Sequence, residues 1–159
     1  MQLTMTGEYA VRAMVGLASK PFGTVMPISE ISEQWEISEN FLRKIIAHLV
    51  KMGLVHSRRG TNGGVRLAIP AEKLTLLDVI EAIEGKIFLN KCLIGPECCT
   101  QTAWCAVHTV WCEAQEAMRY ILSKRSLAEI AASSAARHSR VKAAHEIRFV
   151  ADATIVQAS

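Results

Sequence analysis

The sequence predicts a mostly helical fold with a small β wing, and three observations support this prediction. A short helical segment, a tight connector and a second helix with a basic outer face form a helix-turn-helix pattern. Two short alternating stretches joined by a glycine-rich turn follow directly. A long amphipathic helix then comes after a loop rich in cysteine. Together these features indicate a winged helix-turn-helix DNA-binding domain plus a long dimerisation helix.

The distribution of charge is more informative than the net charge of the 159-residue chain, which is only +3. Residues 38–70 contain six Lys or Arg residues and a single Glu. The excess of positive over negative charges in this region is therefore larger than the net charge of the whole chain. Such a patch suits a polyanionic partner. The N-terminus lacks a signal-peptide pattern, and no apolar run reaches the ~20 residues that span a bilayer. We therefore expect a cytoplasmic protein with no membrane partner, in which clustered cysteines bind metal or act in redox chemistry.

The first three helices are predicted from apolar periodicity and capping residues. The first covers residues 7–19, with Thr6 as its N-cap. The second covers residues 27–35. The third begins after the N-cap Ser38 and ends near residue 52, because Gly53 follows. The second and third helices are the predicted helix-turn-helix.

The wing is predicted from two strands, residues 54–58 and 65–69, and the turn between them. The turn, residues 59–64, is rich in residues that accept a positive φ angle. Arg59 stands next to Gly60 at the tip, where its guanidinium could enter a narrow minor groove. An ordinary surface hairpin is the alternative, but its position directly after a helix-turn-helix favours a wing.

The second half of the chain divides into four predicted parts. Residues 76–84 form a helix between Thr75 and Gly85, which completes a DNA-binding domain of residues 1–85. Residues 86–105 are a cysteine-rich cluster-binding loop. Residues 106–136 contain the dimerisation helix, to residue 123, and a short last helix that begins at a capping box of Ser126 and Glu129. Residues 137–159 are expected to be a mobile tail, or to be ordered only by a partner.

The dimerisation helix is predicted from a regular apolar stripe that needs another surface to cover it. Burial inside the same chain is one possibility. Pairing with a second copy is preferred, because DNA-reading modules commonly bind paired half-sites as symmetric dimers. The stripe consists of Val107, Val110, Trp111, Ala114, Met118, Ile121 and Leu122.

The cysteine loop does not show the paired C-x2-C spacing of common structural zinc sites. Cys92, Cys99 and Cys105 give the spacing C-x6-C-x5-C, and Cys98 is an alternative middle residue. Widely spaced thiolates in a loop can surround an iron–sulphur cluster, which usually takes four ligands. The fourth ligand is predicted to be His108, or Glu8 contributed by a second subunit. Cys112, the fifth cysteine, is interpreted as a small buried residue of the long helix.

Several segments resemble the Rrf2 family of winged-helix transcriptional regulators, which includes the iron–sulphur sensors IscR, NsrR and RirA. The resemblance covers residues 1–136 and is carried by TGEYAVRAM, ISEQWEIS, NFLRKII, SRRGTNGGVRLA and the spacing C-x6-C-x5-C-x2-H. It implies a homodimer that binds double-stranded promoter DNA, with a 2Fe–2S or 4Fe–4S cluster that tunes the affinity. The implied cluster ligands are Cys92, Cys99, Cys105 and either His108 or Glu8. The DNA contacts carry over to Ser38, Asn40, Arg43, Lys44, Arg58, Arg59, Thr61, Asn62 and Gly63.

The predicted function is a DNA-binding transcriptional regulator, a repressor rather than an enzyme. Its cluster would sense nitric oxide, redox state, iron or cluster supply. One alternative is a regulator without a cluster, switched by a disulphide between loop cysteines. Another is an iron–sulphur or redox carrier, which would leave the basic patch without a role. A hydrolase is disfavoured because Cys105 and His108 lack a third catalytic group.

Overall fold

The computed structural model describes residues 3–141, and it is mostly helical with one two-stranded antiparallel sheet. Short 3₁₀ turns occur at Ala71–Lys73, Lys91–Leu93 and Pro96–Cys98. The predicted fold class is thereby confirmed. In chain order the elements are α1 (Met5–Ala18), α2 (Ile28–Trp35), α3 (Glu39–Lys51), β1 (Val55–Arg58), β2 (Gly64–Leu67), α4 (Leu76–Glu84), α5 (Ala106–Ser123) and α6 (residues 127–141).

Helix α1 begins two residues earlier than predicted, so the prediction of Thr6 as its N-cap is wrong. Thr4 is the N-cap, and its Oγ1 atom accepts a hydrogen bond of 3.2 Å from the backbone N–H of Gly7. The same hydroxyl donates to Glu84 Oε1 at 2.6 Å, which ties the start of α1 to the end of α4. Both threonines are suitable caps by type. The tertiary contact to Glu84 favours Thr4.

The helix-turn-helix forms as predicted. A single residue in the left-handed conformation, Glu36 with a φ angle of 52°, ends α2 and turns the chain. Ser38 then caps α3 by accepting a hydrogen bond from the backbone N–H of Phe41 at 3.4 Å. One face of α3 is buried in the core and consists of Leu42, Ile45, Ile46 and Leu49. The other face is left for solvent.

The wing is an antiparallel pair in which Val55 faces Leu67 and Arg58 faces Gly64. It also pairs with the segment between α1 and α2. The backbone N–H of Met26 donates to the carbonyl of Val65 at 2.8 Å, and the reverse bond measures 2.9 Å. This extra bridge fixes the base of the wing against the helical core.

Helix α6 departs from the prediction in length and in location. It was expected to end near residue 136, but helix continues through residue 141, because residues 127–141 contain neither Gly nor Pro. Its start is the predicted capping box, in which the N–H of Glu129 donates to Ser126 Oγ at 3.2 Å and the N–H of Ser126 donates to Glu129 Oε2 at 2.8 Å. Of the tail expected to be mobile, residues 137–141 are therefore helical, and residues 142–159 lie outside the described residues.

The main hydrophobic core lies among α1, α2, α3, the wing and α6. Leu127 and Ala131 of α6 are buried in it beside residues of the N-terminal region, although α6 was grouped with the dimerisation helix from sequence. The backbone N–H of Leu127 donates to the carbonyl of Leu74 at 2.8 Å. A smaller cluster of Leu77, Ile80 and Ile87 joins α4 to α5. Among the described residues no helix is both long enough and apolar enough to cross a membrane.

Candidate functional site

The start of α3 presents the predicted DNA-contact side chains to solvent. Ser38, Asn40, Arg43 and Lys44 are exposed, because the buried face of the helix is turned to the core. Arg43 forms an ion pair with Glu39, with Nη2 and Oε2 2.9 Å apart. This pair is exposed, so it holds the guanidinium only weakly and leaves it free to exchange for a phosphate or a base.

The wing presents the second group of predicted DNA-contact side chains to solvent. Arg58, Arg59, Thr61 and Asn62 are exposed. The turn depends on glycine at two positions. Gly60 has a φ angle of 108°, and a Cβ atom at Gly63 would lie 2.5 Å from the carbonyl oxygen of Arg58. The backbone of the tip is therefore folded tightly, which leaves the side chains pointing outward.

The two groups meet at a groove of about 470 Å³ between the start of α2, the start of α3 and the wing. Among the predicted residues, Arg43, Arg58, Arg59 and Gly63 line this groove. The others are exposed on the same two elements, outside the lining. Sequence reasoning did not include Ser29, Ser57 and Glu39, which also line it. Their proximity follows from tertiary packing, and no local pattern signals it.

The cysteine loop folds back onto the start of α5 and encloses a second cavity of about 230 Å³. Two 3₁₀ turns shape the loop, and Asn90 begins the first by accepting a hydrogen bond of 2.8 Å from the N–H of Lys91. Four thiols and one imidazole line the cavity, those of Cys92, Cys98, Cys99, Cys105 and His108. Asn90, Lys91, Thr102, Val107 and Trp111 complete the lining.

The thiols of the loop have different surroundings, and all five cysteines of the chain are free. Burial raises the pKa of the Cys92 thiol, and the neighbouring Cys99, Cys105 and Cys112 raise it further. Cys98 is instead exposed, and its Sγ atom lies 3.8 Å from Glu97 Oε1. Cys98 thus differs from Cys92, Cys99 and Cys105, which are half-buried.

His108 lies in the first turn of α5 and contacts the fifth cysteine. Its Nε2 atom is 3.5 Å from the Sγ atom of Cys112, four residues further along the helix. Its Nδ1 atom is buried and has no hydrogen-bond partner. Cys112 is half-buried, and its Sγ atom lies beside one nitrogen of a side chain that lines the cavity.

The remaining predicted ligand, Glu8, does not line this cavity. It is exposed on α1 and forms an ion pair with Arg12. Within residues 3–141 no three His, Cys, Asp or Glu side chains are arranged to hold a metal ion. The structure therefore gathers the donor atoms around one cavity without drawing them into a coordination geometry.

The apolar stripe of α5 is divided between two surroundings. Met118 and Leu122 pack against the smaller hydrophobic cluster, beside an ion pair of Arg119 with Glu81. The rest of the stripe is less buried, with Trp111 and Ala114 half-buried and the remaining members facing solvent in the single chain. Its most exposed members are Val107 (60%), Val110 (62%) and Ile121 (67%), and the neighbouring Trp104 is 73% exposed.

The helix-turn-helix, the wing and the basic groove between them define the class of protein, a winged-helix DNA-binding transcriptional regulator. Comparison with known proteins gives the family. The chain belongs to the Rrf2 family, whose model, described as an iron-dependent transcriptional regulator, matches residues 3–133. This is a family of regulators rather than of enzymes.

Individual relatives agree with this assignment. A Haemophilus influenzae protein, provisionally named a helix-turn-helix-type transcriptional regulator, is 35% identical over 130 residues, which are 82% of this chain and 86% of the relative. The structure of T. potens IscR is similar with a TM-score of 0.66 and 27% identity, and the match covers 84% of this chain and 88% of that one. The oxidised form of Staphylococcus aureus CymR matches with a TM-score of 0.64 and 27% identity, over 82% and 96% of the two chains.

Proposed function

We propose that this protein is a cytoplasmic transcriptional repressor that binds promoter DNA as a homodimer, with an affinity controlled by a bound 2Fe–2S or 4Fe–4S cluster. The observation that carries this proposal is the cavity at the start of α5, where loop thiols and an imidazole surround one space within a DNA-binding fold. The description of the family model as iron-dependent and the similarity to IscR support it.

The ligands proposed for the cluster are Cys92, Cys99 and Cys105, with His108 or the Glu8 of a second copy as the fourth. The donor set fits such a cluster in two respects. Thiolates are the usual ligands of iron–sulphur clusters, and His108 offers a buried nitrogen without a partner. Cys99 is preferred to Cys98 because Cys99 is half-buried at the cavity, whereas Cys98 is exposed. Loading would require the loop to draw the thiols closer together.

DNA would be read by the start of α3 in the major groove and by the wing in the minor groove. Arg43, Arg58 and Arg59 converge on one groove of the protein, which is the observation that favours this arrangement. Ser38, Asn40, Lys44, Thr61, Asn62 and Gly63 would supply the remaining polar and backbone contacts.

The DNA interface is tested with Arg59→Ala and the control Lys73→Ala, which removes the same charge from an exposed position outside the groove. Binding to the protein's own promoter fragment is measured by fluorescence anisotropy at several salt concentrations. We expect Arg59→Ala to bind more weakly and to reduce the salt slope by about one, because one phosphate or minor-groove contact is lost. Equal affinities for Arg59→Ala and the control would refute the wing assignment.

The cluster is tested by anaerobic purification, visible absorption, and counts of iron and acid-labile sulphide per chain. We expect charge-transfer bands with matching iron and sulphide. The bands should be lost in Cys92→Ala, Cys99→Ala and Cys105→Ala. Cys98→Ala is the matched control, since it removes an exposed thiol of the same loop and should keep the bands.

A thiol-switched regulator without a cluster is the second candidate function. It is favoured by the five free cysteines, four of which surround one cavity, and by the similarity to the oxidised form of CymR. An iron-free protein whose DNA affinity changes when a disulphide forms between loop cysteines would establish this candidate in place of the first. A role as an iron–sulphur or redox carrier is tested by the same DNA measurement. Sequence-specific and salt-dependent DNA binding is not expected of a carrier and would contradict that role.

The homodimer is proposed from the uncovered part of the α5 stripe, which would pair with the same surface of a second copy. Val110→Glu places a charge in this surface, and Glu113→Ala is an exposed control on the same helix. We expect light scattering to give a dimeric mass for the wild type and the control, and a monomeric mass for Val110→Glu. A dimeric Val110→Glu variant would place the interface elsewhere.

A further inference from the structure

We propose that Cys112 is a positioning residue: it holds Nε2 of His108 and leaves Nδ1 as the nitrogen that binds the cluster at the cysteine cavity. This inference rests on the proposed function and deepens it, because it assigns the fourth ligand to one atom and gives the fifth cysteine a role. It depends on three features of the described residues.

The first feature is the geometry of the pair on α5. His108 and Cys112 are four residues apart on a helix, so their side chains lie one above the other on the same face. The Nε2 and Sγ atoms are 3.5 Å apart, within the range of a hydrogen bond to sulphur. The imidazole is therefore fixed from the C-terminal side of its turn, and its two nitrogens point in nearly opposite directions.

The second feature is the unpaired nitrogen. Nδ1 of His108 is buried and has no hydrogen-bond partner, while the residue lines the thiol cavity. A buried polar atom without a partner costs free energy and calls for an explanation. When Nε2–H donates to the sulphur of Cys112, Nδ1 carries a lone pair, which is the form of imidazole that binds a metal. The alternative tautomer would bury an N–H donor with nothing to accept it.

The third feature is the kind of support that metal-bound histidines usually have. A metal-ligating histidine almost always donates its other ring N–H to a neighbouring acceptor, which fixes its tautomer and orientation. Carboxylates, carbonyls and water are the common acceptors, and here the place is taken by the Sγ atom of Cys112. Removing such a partner typically weakens metal binding about 10- to 100-fold.

The atom that binds the cluster is tested in the wild-type protein, loaded anaerobically and reduced to its paramagnetic state. Two samples are prepared with histidine that carries ¹⁵N only at Nδ1 or only at Nε2, and pulsed electron paramagnetic resonance measures the ¹⁵N coupling. We expect strong coupling in the Nδ1 sample alone, and its loss in His108→Ala. Strong coupling in the Nε2 sample would overturn the inference. A loaded cluster without any strong ¹⁵N coupling would also overturn it while leaving the proposed function intact.

The role of Cys112 is tested with Cys112→Ala, Cys112→Ser and the control Cys98→Ala, by reduction potential and by cluster loss to an iron chelator. We expect Cys112→Ala to shift the potential and to hold the cluster about 10- to 100-fold less tightly. Cys112→Ser should restore much of both, because a hydroxyl can accept the same bond, and Cys98→Ala should resemble the wild type. Wild-type values in Cys112→Ala would overturn the inference. A cluster lost in both Cys112 variants but kept in His108→Ala would make Cys112 a ligand. A wild-type chain that takes up no iron would overturn the proposed function and this inference together.

Discussion

Gln115 attaches the first residues of the cysteine loop to helix α5, and its removal has a predictable cost. Its side chain is 9% exposed. Its Oε1 atom accepts a hydrogen bond of 2.9 Å from the N–H of Leu89, and its Nε2 atom donates to the carbonyl of Ile87 at 2.7 Å. Gln115→Ala leaves both backbone groups without a partner. Each buried group left unpaired costs roughly 1–3 kcal/mol, so the loss of both partners should lower the free energy of unfolding by roughly 2–6 kcal/mol.

The assay is urea unfolding followed by circular dichroism, at one protein concentration because dimerisation would shift the apparent stability. With a urea slope of about 2 kcal/mol/M, the midpoint should fall by roughly 1–3 M. Gln34→Ala is the control, since Gln34 is an exposed glutamine of a different helix. A free energy of unfolding within about 0.5 kcal/mol of that of the control would refute the reasoning, because it would mean that water satisfies both backbone groups.

Amide hydrogen exchange gives an independent measurement on the same variant. The N–H of Leu89 is bonded only to the side chain of Gln115 in the described contacts, so it should be protected in the wild type. In Gln115→Ala it should exchange much faster, while the amides of α3 keep their protection. Equal exchange at Leu89 in both proteins would show that the segment is held by other contacts.

Three further predictions follow from single contacts. Leu127→Ala should cost roughly 2–5 kcal/mol in urea unfolding, because Leu127 is fully buried in the main core, and an unchanged midpoint would show that α6 does not complete that core. The hydrogen bond from Arg119 holds the pKa of Glu81 below its ordinary value of 4.5. The ion pair therefore stabilises the folded state fully above that pH, and this stabilisation is lost as the pH falls through the pKa of Glu81 in the folded protein. The unfolding midpoints of the wild type and Glu81→Gln should therefore converge below pH 4.5, and a constant difference would contradict this account. Gly64→Ala would place a Cβ atom 2.4 Å from the carbonyl oxygen of Met26, so it should open the base of the wing and weaken DNA binding while the helical dichroism is kept.

The DNA-binding part of the fold was predictable because its signals are local. The apolar spacing of α3, its cap at Ser38, the stop at Gly53 and the glycine-rich turn of the wing all depend on residues within a few positions of one another. The capping box at Ser126 was recognised for the same reason, since it is complete within four residues. At Thr75 only a cap was predicted, and the structure shows a capping box with Asp78. The predicted bounds of α5 were also confirmed.

The features that escaped prediction depend on contacts distant in sequence. Thr4 caps α1 instead of Thr6 because it also reaches Glu84, and no local rule separates two threonines so close together. The burial of Leu127 in the core of the N-terminal region depends on how the chain returns after α5. Gln115 looks like any polar residue of an amphipathic helix until the segment of Ile87 and Leu89 is placed beside it.

The same distant contacts connect the cysteine cavity to the DNA-reading helix. Gln115 binds the backbone at Ile87 and Leu89, at the start of the loop and shortly before its first cysteine, Cys92. The N–H of Ile87 donates to Glu81 Oε1 at 3.4 Å, and Glu81 belongs to α4. The next residue of α4, Ala82, has its carbonyl oxygen 3.0 Å from Nε2 of His48 on α3. Hydrogen bonds and helix α4 thus form a continuous contact between the start of the loop and α3. Coupling between the two sites would require this contact to have two arrangements, one of which is favoured when the cluster is loaded.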